Sequence, residues 1–282
     1  MAEQRREQAH DDRWASGPLR ARPGGPAERF ANRIGLRHPV AVFFAALFSA
    51  FAVLIAVSLA VGFVVTHVLL NAGGLGLVSA DNGAITELVK ERSGSLNTLS
   101  EIGSTVGGAP VLPILVGLVA IVCAFQRRWR IAAFAVFVLS IESATYRVTS
   151  LVLPRQRPDV ARLENLPANA SYPSGHTAAS IAVYAGLVFL LVSGVGNRTV
   201  RAIGWVAAIA LPVFVAMSRM YRGMHHPLDV AGGILIGVGA MMVLLFACRA
   251  AGVVAHSPAR ESRTGPRQTP SRSRRSRVQA TS

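Results

Sequence analysis

The chain has 282 residues, 51% of them hydrophobic and only 15% charged, against about 25% charged in a typical soluble domain. That composition excludes a disordered chain and an ordinary soluble protein, and two cysteines exclude a disulfide scaffold. A formal charge of +15, from 29 Lys+Arg against 14 Asp+Glu, leaves two explanations: nucleic-acid binding, or a membrane protein whose basic residues gather on one side.

Residues 1–38 form a polar, Arg-rich segment without a cleavable signal pattern, so the first apolar run is expected to stay in the mature protein. Six apolar runs follow, at 39–70, 105–125, 131–153, 177–194, 202–217 and 228–248. A membrane-crossing helix needs about 20 apolar residues. The predicted fold class is therefore all-α, an integral membrane bundle of six transmembrane helices occupying residues 39–250. The first run is long enough to tilt or to continue beyond the bilayer, and a bundle tolerates Pro212 in the fifth. Residues 84–99 are read as a short interfacial helix. Residues 251–282, rich in Ser, Arg, Pro and Thr, are expected to be a disordered tail whose arginines meet anionic lipid head groups. No folded recognition module for nucleic acid is present, so none is expected as a partner.

Basic residues in the connections set the orientation. Of the 29, 21 lie in the N-terminal segment, the connections around 127–130 and 198–201, and the stretch after the last span. Only seven lie in the other three loops, with Arg147 inside the third span. Both termini are thus predicted cytoplasmic and the remaining loops exoplasmic.

Those outward loops, which should be poor in arginine, carry three clusters: Arg155-Gln156-Arg157-Pro158, Tyr172-Pro173-Ser174-Gly175-His176, and Ser218-Arg219 with Arg222, His225-His226-Pro227-Leu228-Asp229. Guanidinium groups bind phosphate oxygens as a fixed fork. A Pro-Ser-Gly turn opening a helix offers free backbone N–H groups at a positive dipole end, and Gly175 permits close approach. His225 and Asp229, four residues apart, share one helical face. An aspartate bonded to one ring nitrogen leaves the other free to attack, and His176 can protonate a leaving oxygen. Together these describe phosphoryl transfer through a phosphohistidine, with no metal or cofactor required. Singly, Pro173, Ser174, Pro227 and Asp229 also read as helix-entry residues, and Arg155, Arg157 and Arg222 as interfacial anchors. The Gly233 to Gly237 spacing fits close helix packing.

The set resembles the type 2 phosphatidic acid phosphatase superfamily, whose pattern is Lys, six residues, Arg-Pro; then Pro-Ser-Gly-His; then Ser-Arg, five residues, His, three residues, Asp. The second and third elements are intact here as Pro173 to His176 and as Ser218-Arg219, His225 and Asp229; the first keeps Arg157-Pro158 but has Ser150 where the family has lysine. The resemblance covers roughly residues 81–245. It implies a lipid phosphate or diphosphate phosphatase with His225 as nucleophile, Asp229 orienting it and His176 as acid. Arg157, Arg219, Ser174 and the Gly175 N–H would hold the phosphate. Either Arg147, one turn before Ser150, or Arg155 would replace the missing lysine. Implied substrates are polyprenyl diphosphates, phosphatidate and phosphatidylglycerol phosphate. Two rivals stand beside this reading: a catalytically impaired lipid-phosphate-binding protein, suggested by Ser150, and a transporter, for which Glu142 and Arg147 would be the intramembrane ionisable groups.

Overall fold

A computed structural model describes residues 17–70, 76–193 and 195–255. These residues form nine helices: α1 (Pro26–Ile34), α2 (Pro39–Leu69), α3 (Leu77–Lys90), α4 (Gly94–Val106), α5 (Val111–Phe125), α6 (Trp129–Val152), α7 (Gly175–Val192), α8 (Arg198–Tyr221) and α9 (Pro227–Ala255). Helices α2 and α7 each include a π-helical turn, at Val64–Leu69 and Ile181–Ala185.

Five helices are long and apolar enough to cross a membrane, and the pair α4–α5 makes a sixth span if its two halves are taken together. The protein is a multi-pass membrane protein. Its outer faces carry exposed Phe48, Val53, Ile114, Leu118, Ile203, Ile209 and Met242, as expected of helices whose backbone groups are satisfied internally and whose side chains meet lipid.

The expected second span, 105–125, is corrected to a broken one. α4 and α5 meet at an angle of 42°, across Gly107-Gly108-Ala109-Pro110. Two glycines weaken the helix, and Pro110 removes a donor and disfavours helical geometry in the residue before it. The interfacial helix expected over 84–99 is likewise divided. α3 ends at Lys90, and Ser93 opens α4 by accepting the Leu96 N–H on its hydroxyl at 3.4 Å.

α9 is the central post, packed against α2, α6 and α7. Small residues let α7 come close: a Cβ at Gly233 would lie 2.5 Å from the Ser174 carbonyl, and one at Gly237 2.6 Å from that of Ala178. The Gly233 to Gly237 spacing therefore serves helix packing, and it sets the first turn of α7 against the second and third turns of α9.

At the other end of α9, 29 residues and about 43 Å away, the N-terminal segment is docked. Phe30 of α1 meets Phe246 edge-on at 5.3 Å. Arg249 donates to the Pro18 carbonyl at 2.8 Å, and Arg130 to those of Leu19 and Cys248 at 2.6 and 2.9 Å. Residues 251–255, expected in the tail, are helical. The rest of that tail, 256–282, lies outside the described residues, as do 1–16.

Candidate active site

The connection from α6 to α7 folds back on itself. The Arg155 N–H donates to Asn169 O, the Arg157 N–H to Ala168 O, and the Ser171 N–H to Arg155 O. This pairing presents the Ser171 carbonyl to the His225 ring, whose Nδ1 lies 2.7 Å away. A carbonyl can only accept, so Nδ1 carries the hydrogen and, in the neutral ring, Nε2 holds the lone pair. Asp229 stands beside the same ring with Oδ2 3.8 Å from Nδ1, beyond hydrogen-bond reach. Its Oδ2 accepts instead from the Ser171 hydroxyl at 2.5 Å and the His226 N–H at 2.8 Å. The direct Asp229–His225 bond expected from the i, i+4 spacing is thus replaced by a relay through Ser171.

Arg155 closes this side of the cluster. Its Nη1 donates to Asp229 Oδ1 at 2.5 Å and its Nη2 to Asp81 Oδ2 on α3. Asp81 also accepts the Leu228 N–H at 3.0 Å, tying α3 to the start of α9. With both ends of its guanidinium taken by buried carboxylates, Arg155 is a structural tie to Asp229.

On the other side, Arg219 at the end of α8 is fully buried. Its Nη1 donates to both Glu164 oxygens, at 2.8 and 2.7 Å, and to the Ser104 hydroxyl of α4. Its Nε and Nη2 are buried and have no hydrogen-bond partner among the described residues. Glu164 also accepts from Arg222 Nε at 2.6 Å and from Ser104 at 2.8 Å. Burial would raise this carboxyl, but the bonds and charge of Arg219, with Ser104 and Arg222, hold it at about 2. Arg157 spends two donors on backbone, Nε to Pro167 O at 2.8 Å and Nη1 to Met224 O at 2.5 Å; Nη2 has no bond among the described residues.

At the head of α7, Ser174 is buried, its N–H given to Asp229 O at 2.8 Å and its hydroxyl shared with Thr177 at 2.9 Å. Gly175 and His176 begin the helix, so their N–H groups have no carbonyl within it. His176 abuts the α4–α5 break: a Cβ on Gly108 would lie 2.8 Å from its Nε2. The Arg219 charge acts on both His176 and His225. Burial, helped by the charges of Arg219 and Arg157 and opposed by Asp229, pushes His225 down to about 4, so its ring is neutral at pH 7.

The fold therefore gathers His225, His176, Asp229, Arg219, Arg157, Arg155, Ser174 and Gly175 at one end of the bundle. It does not gather Arg147, which is exposed on α6 with no hydrogen bond or ion pair among the described residues. Sequence reasoning missed Asp81, Glu164, Ser104 and Ser171 as parts of this cluster. Glu164 had one signal, a carboxylate in the Arg-rich stretch between Arg157-Pro158 and the Pro-Ser-Gly-His turn.

The profile of the PAP2 superfamily matches residues 131–251. A decaprenylphosphoryl-5-phosphoribose phosphatase of Mycobacterium tuberculosis is 30% identical over 167 residues, which is 56% of this chain and 85% of that one. The chain belongs to the PAP2 superfamily. An undecaprenyl-diphosphatase of Sulfolobus acidocaldarius is 32% identical over 129 residues, or 44% of this chain; the match spans 58% of the archaeal protein. In fold, this PAP2 chain is similar to the crystal structure of a transmembrane PAP2-type phosphatidylglycerolphosphate phosphatase from Bacillus subtilis. The TM-score is 0.57 at 24% identity, covering 74% of this chain and 94% of the other.

Proposed function

We propose that this PAP2 protein is a metal-independent lipid phosphate phosphatase working through a phosphohistidine. The observation that carries the reading is the buried Arg219 guanidinium, which keeps two unmet donors, Nε and Nη2, at the end of the bundle that also holds His176 and His225. A buried cation with open donors calls for an anion, and a phosphoryl group fits the fork. Arg157 Nη2 and the N–H groups of Gly175 and His176 extend the same cradle.

In this reading His225 Nε2 attacks phosphorus as the bond to the leaving oxygen breaks, and His176 gives that oxygen its proton. Water then attacks the phosphohistidine, His176 takes the water proton, and inorganic phosphate leaves with His225 neutral again. Asp229, held by Arg155 and acting through Ser171, is a positioning residue. The relatives' names, with prenyl diphosphate, phosphatidylglycerol phosphate and a phosphorylated pentose lipid among them, support lipid phosphates as the class. The excess of arginine at the α1 end supports cytoplasmic termini and a site facing the exoplasmic side, with anionic lipid around the arginines and the substrate tail left in the bilayer.

The test is phosphate release by the purified chain in detergent with chelator present. The wild type is expected to turn over a lipid phosphate and to form an acid-labile, alkali-stable phosphoenzyme. His225→Ala is expected to lose both. Release by His225→Ala at the wild-type rate would remove the nucleophile assignment. Binding without release by the wild type would favour the impaired-binding alternative.

A further inference from the structure

Below His176 lies a cavity of about 230 Å³, walled by Gly108, Leu112, Leu139, Tyr146 and His176, that the chemistry above leaves unused. One wall is the Glu142 side chain, from the middle of α6. Glu142 is 2% exposed, and a carboxyl at that depth in a membrane span is costly without partners. Its one hydrogen bond among the described residues is from the Ser143 hydroxyl to Oε2, at 3.1 Å, and no Lys or Arg pairs with it. Glu142 lines the cavity, and its Oε1 has no donor among the described residues. The polar groups on the facing walls, the Tyr146 hydroxyl and the His176 ring, make no bond to it among those residues.

The position of His176 says what enters. If His176 protonates the leaving oxygen, the space beside it is filled by the first atoms of the leaving alcohol. At about 30 Å³ per water-sized group, the cavity has room for a short polyol and none for a lipid tail. Ala109, Pro113 and Ser143 at its rim are exposed, so the tail stays outside. We infer that Glu142, assisted by Ser143, selects lipid phosphates whose leaving alcohol carries a second hydroxyl close to the scissile oxygen, as a lipid-linked glycerol or pentose does. That hydroxyl donates to Glu142 Oε1. Phosphatidate, whose leaving diacylglycerol offers no other hydroxyl, leaves the oxygen unmet. This inference rests on the phosphatase reading and narrows it. A pocket built to bond a hydroxyl discriminates strongly against the analogue without one.

The experiment measures kcat/KM of the full chain on three substrates: phosphatidylglycerol phosphate, a prenylphosphoryl pentose phosphate, and phosphatidate. The wild type is expected to prefer one or both hydroxyl-bearing lipids, and the preferred one separates the glycerol source from the pentose source. Glu142→Leu is expected to lower the preferred-to-phosphatidate ratio by about tenfold or more. Glu142→Gln keeps an acceptor oxygen and is expected to hold that ratio within about threefold. Ser143→Ala, at an exposed position that disturbs packing little, is expected to lower it by about threefold. Equal losses on all three substrates in both Glu142 variants would overturn the inference in favour of a proton-relay or packing role, and an unmoved ratio in Glu142→Leu would overturn it outright. A wild type that releases phosphate from none of the three and from no prenyl diphosphate overturns the phosphatase reading itself, and release from a prenyl diphosphate alone overturns the inference. Turnover of all three with ratios insensitive to Glu142 removes the inference alone.

Discussion

Arginine is used in opposite ways at the two ends of the bundle. At the α1 end, Arg130 and Arg249 donate to backbone carbonyls of Pro18, Leu19 and Cys248, fastening the N-terminal segment to α9. At the other end, Arg155 and Arg219 are held by the buried or half-buried carboxylates of Asp81, Asp229 and Glu164. Carbonyls satisfy a guanidinium locally and make a joint. Carboxylates fix its position by charge, and in Arg219 they leave two donors open. Identical side chains thus serve as fasteners where backbone carbonyls receive them and as a binding element where buried donors stay open.

Breaking the second kind of arginine is expected to cost most. Arg219→Met removes the open donors and is expected to lower kcat by about 10²–10³-fold, in the range for losing a preorganised oxyanion donor; Arg219→Lys, a point charge without the fork, should recover only part. Steady-state phosphate release on matched protein checks both. Arg155→Met leaves Asp81 and Asp229 buried without their cation. It is expected to destabilise the protein by about 3 kcal/mol, seen as a lowered Tm in detergent together with a reduced kcat. The pH profile sharpens the comparison further. With His225 pushed down to about 4, the acid limb of kcat/KM is expected near pH 4 and not near the ordinary histidine value of about 6.5. The stability that this depressed group contributes is complete above about pH 6.5 and is lost as the pH falls toward 4. The smallest effect is expected at the joint: Arg130→Met should cost about 1 kcal/mol of stability with phosphate release within about twofold of wild type.

Much of this was legible in the sequence. The apolar runs place four spans within about four residues at each end, and the start of the last, whose helix continues seven residues beyond its run to Ala255, because a membrane helix must be long and greasy whatever its neighbours. The Pro-Ser-Gly-His and His-x-x-x-Asp elements name the groups that meet, because their spacing fixes which side chains open a helix. The break at Gly107–Pro110 was also written there, but a continuous apolar run masked it. What stayed hidden depends on contacts distant in sequence. Asp81 lies 74 residues from Arg155 and Glu164 lies 55 from Arg219, and no local pattern couples such pairs. Arg147 misled for another reason: it lies about 60° around the helix from Ser150, and at that position α6 faces outward.

The 2.7 Å contact from His225 Nδ1 to the Ser171 carbonyl also bears on how this protein tolerates change. The acceptor that chooses the tautomer belongs to the main chain, so no side-chain replacement at position 171 deletes it. Asp229→Asn can weaken the charge behind the ring without inverting which nitrogen is available. The site carries its most error-prone instruction in the one part of the polypeptide that single-residue drift does not rewrite, leaving the surrounding side chains freer to diverge.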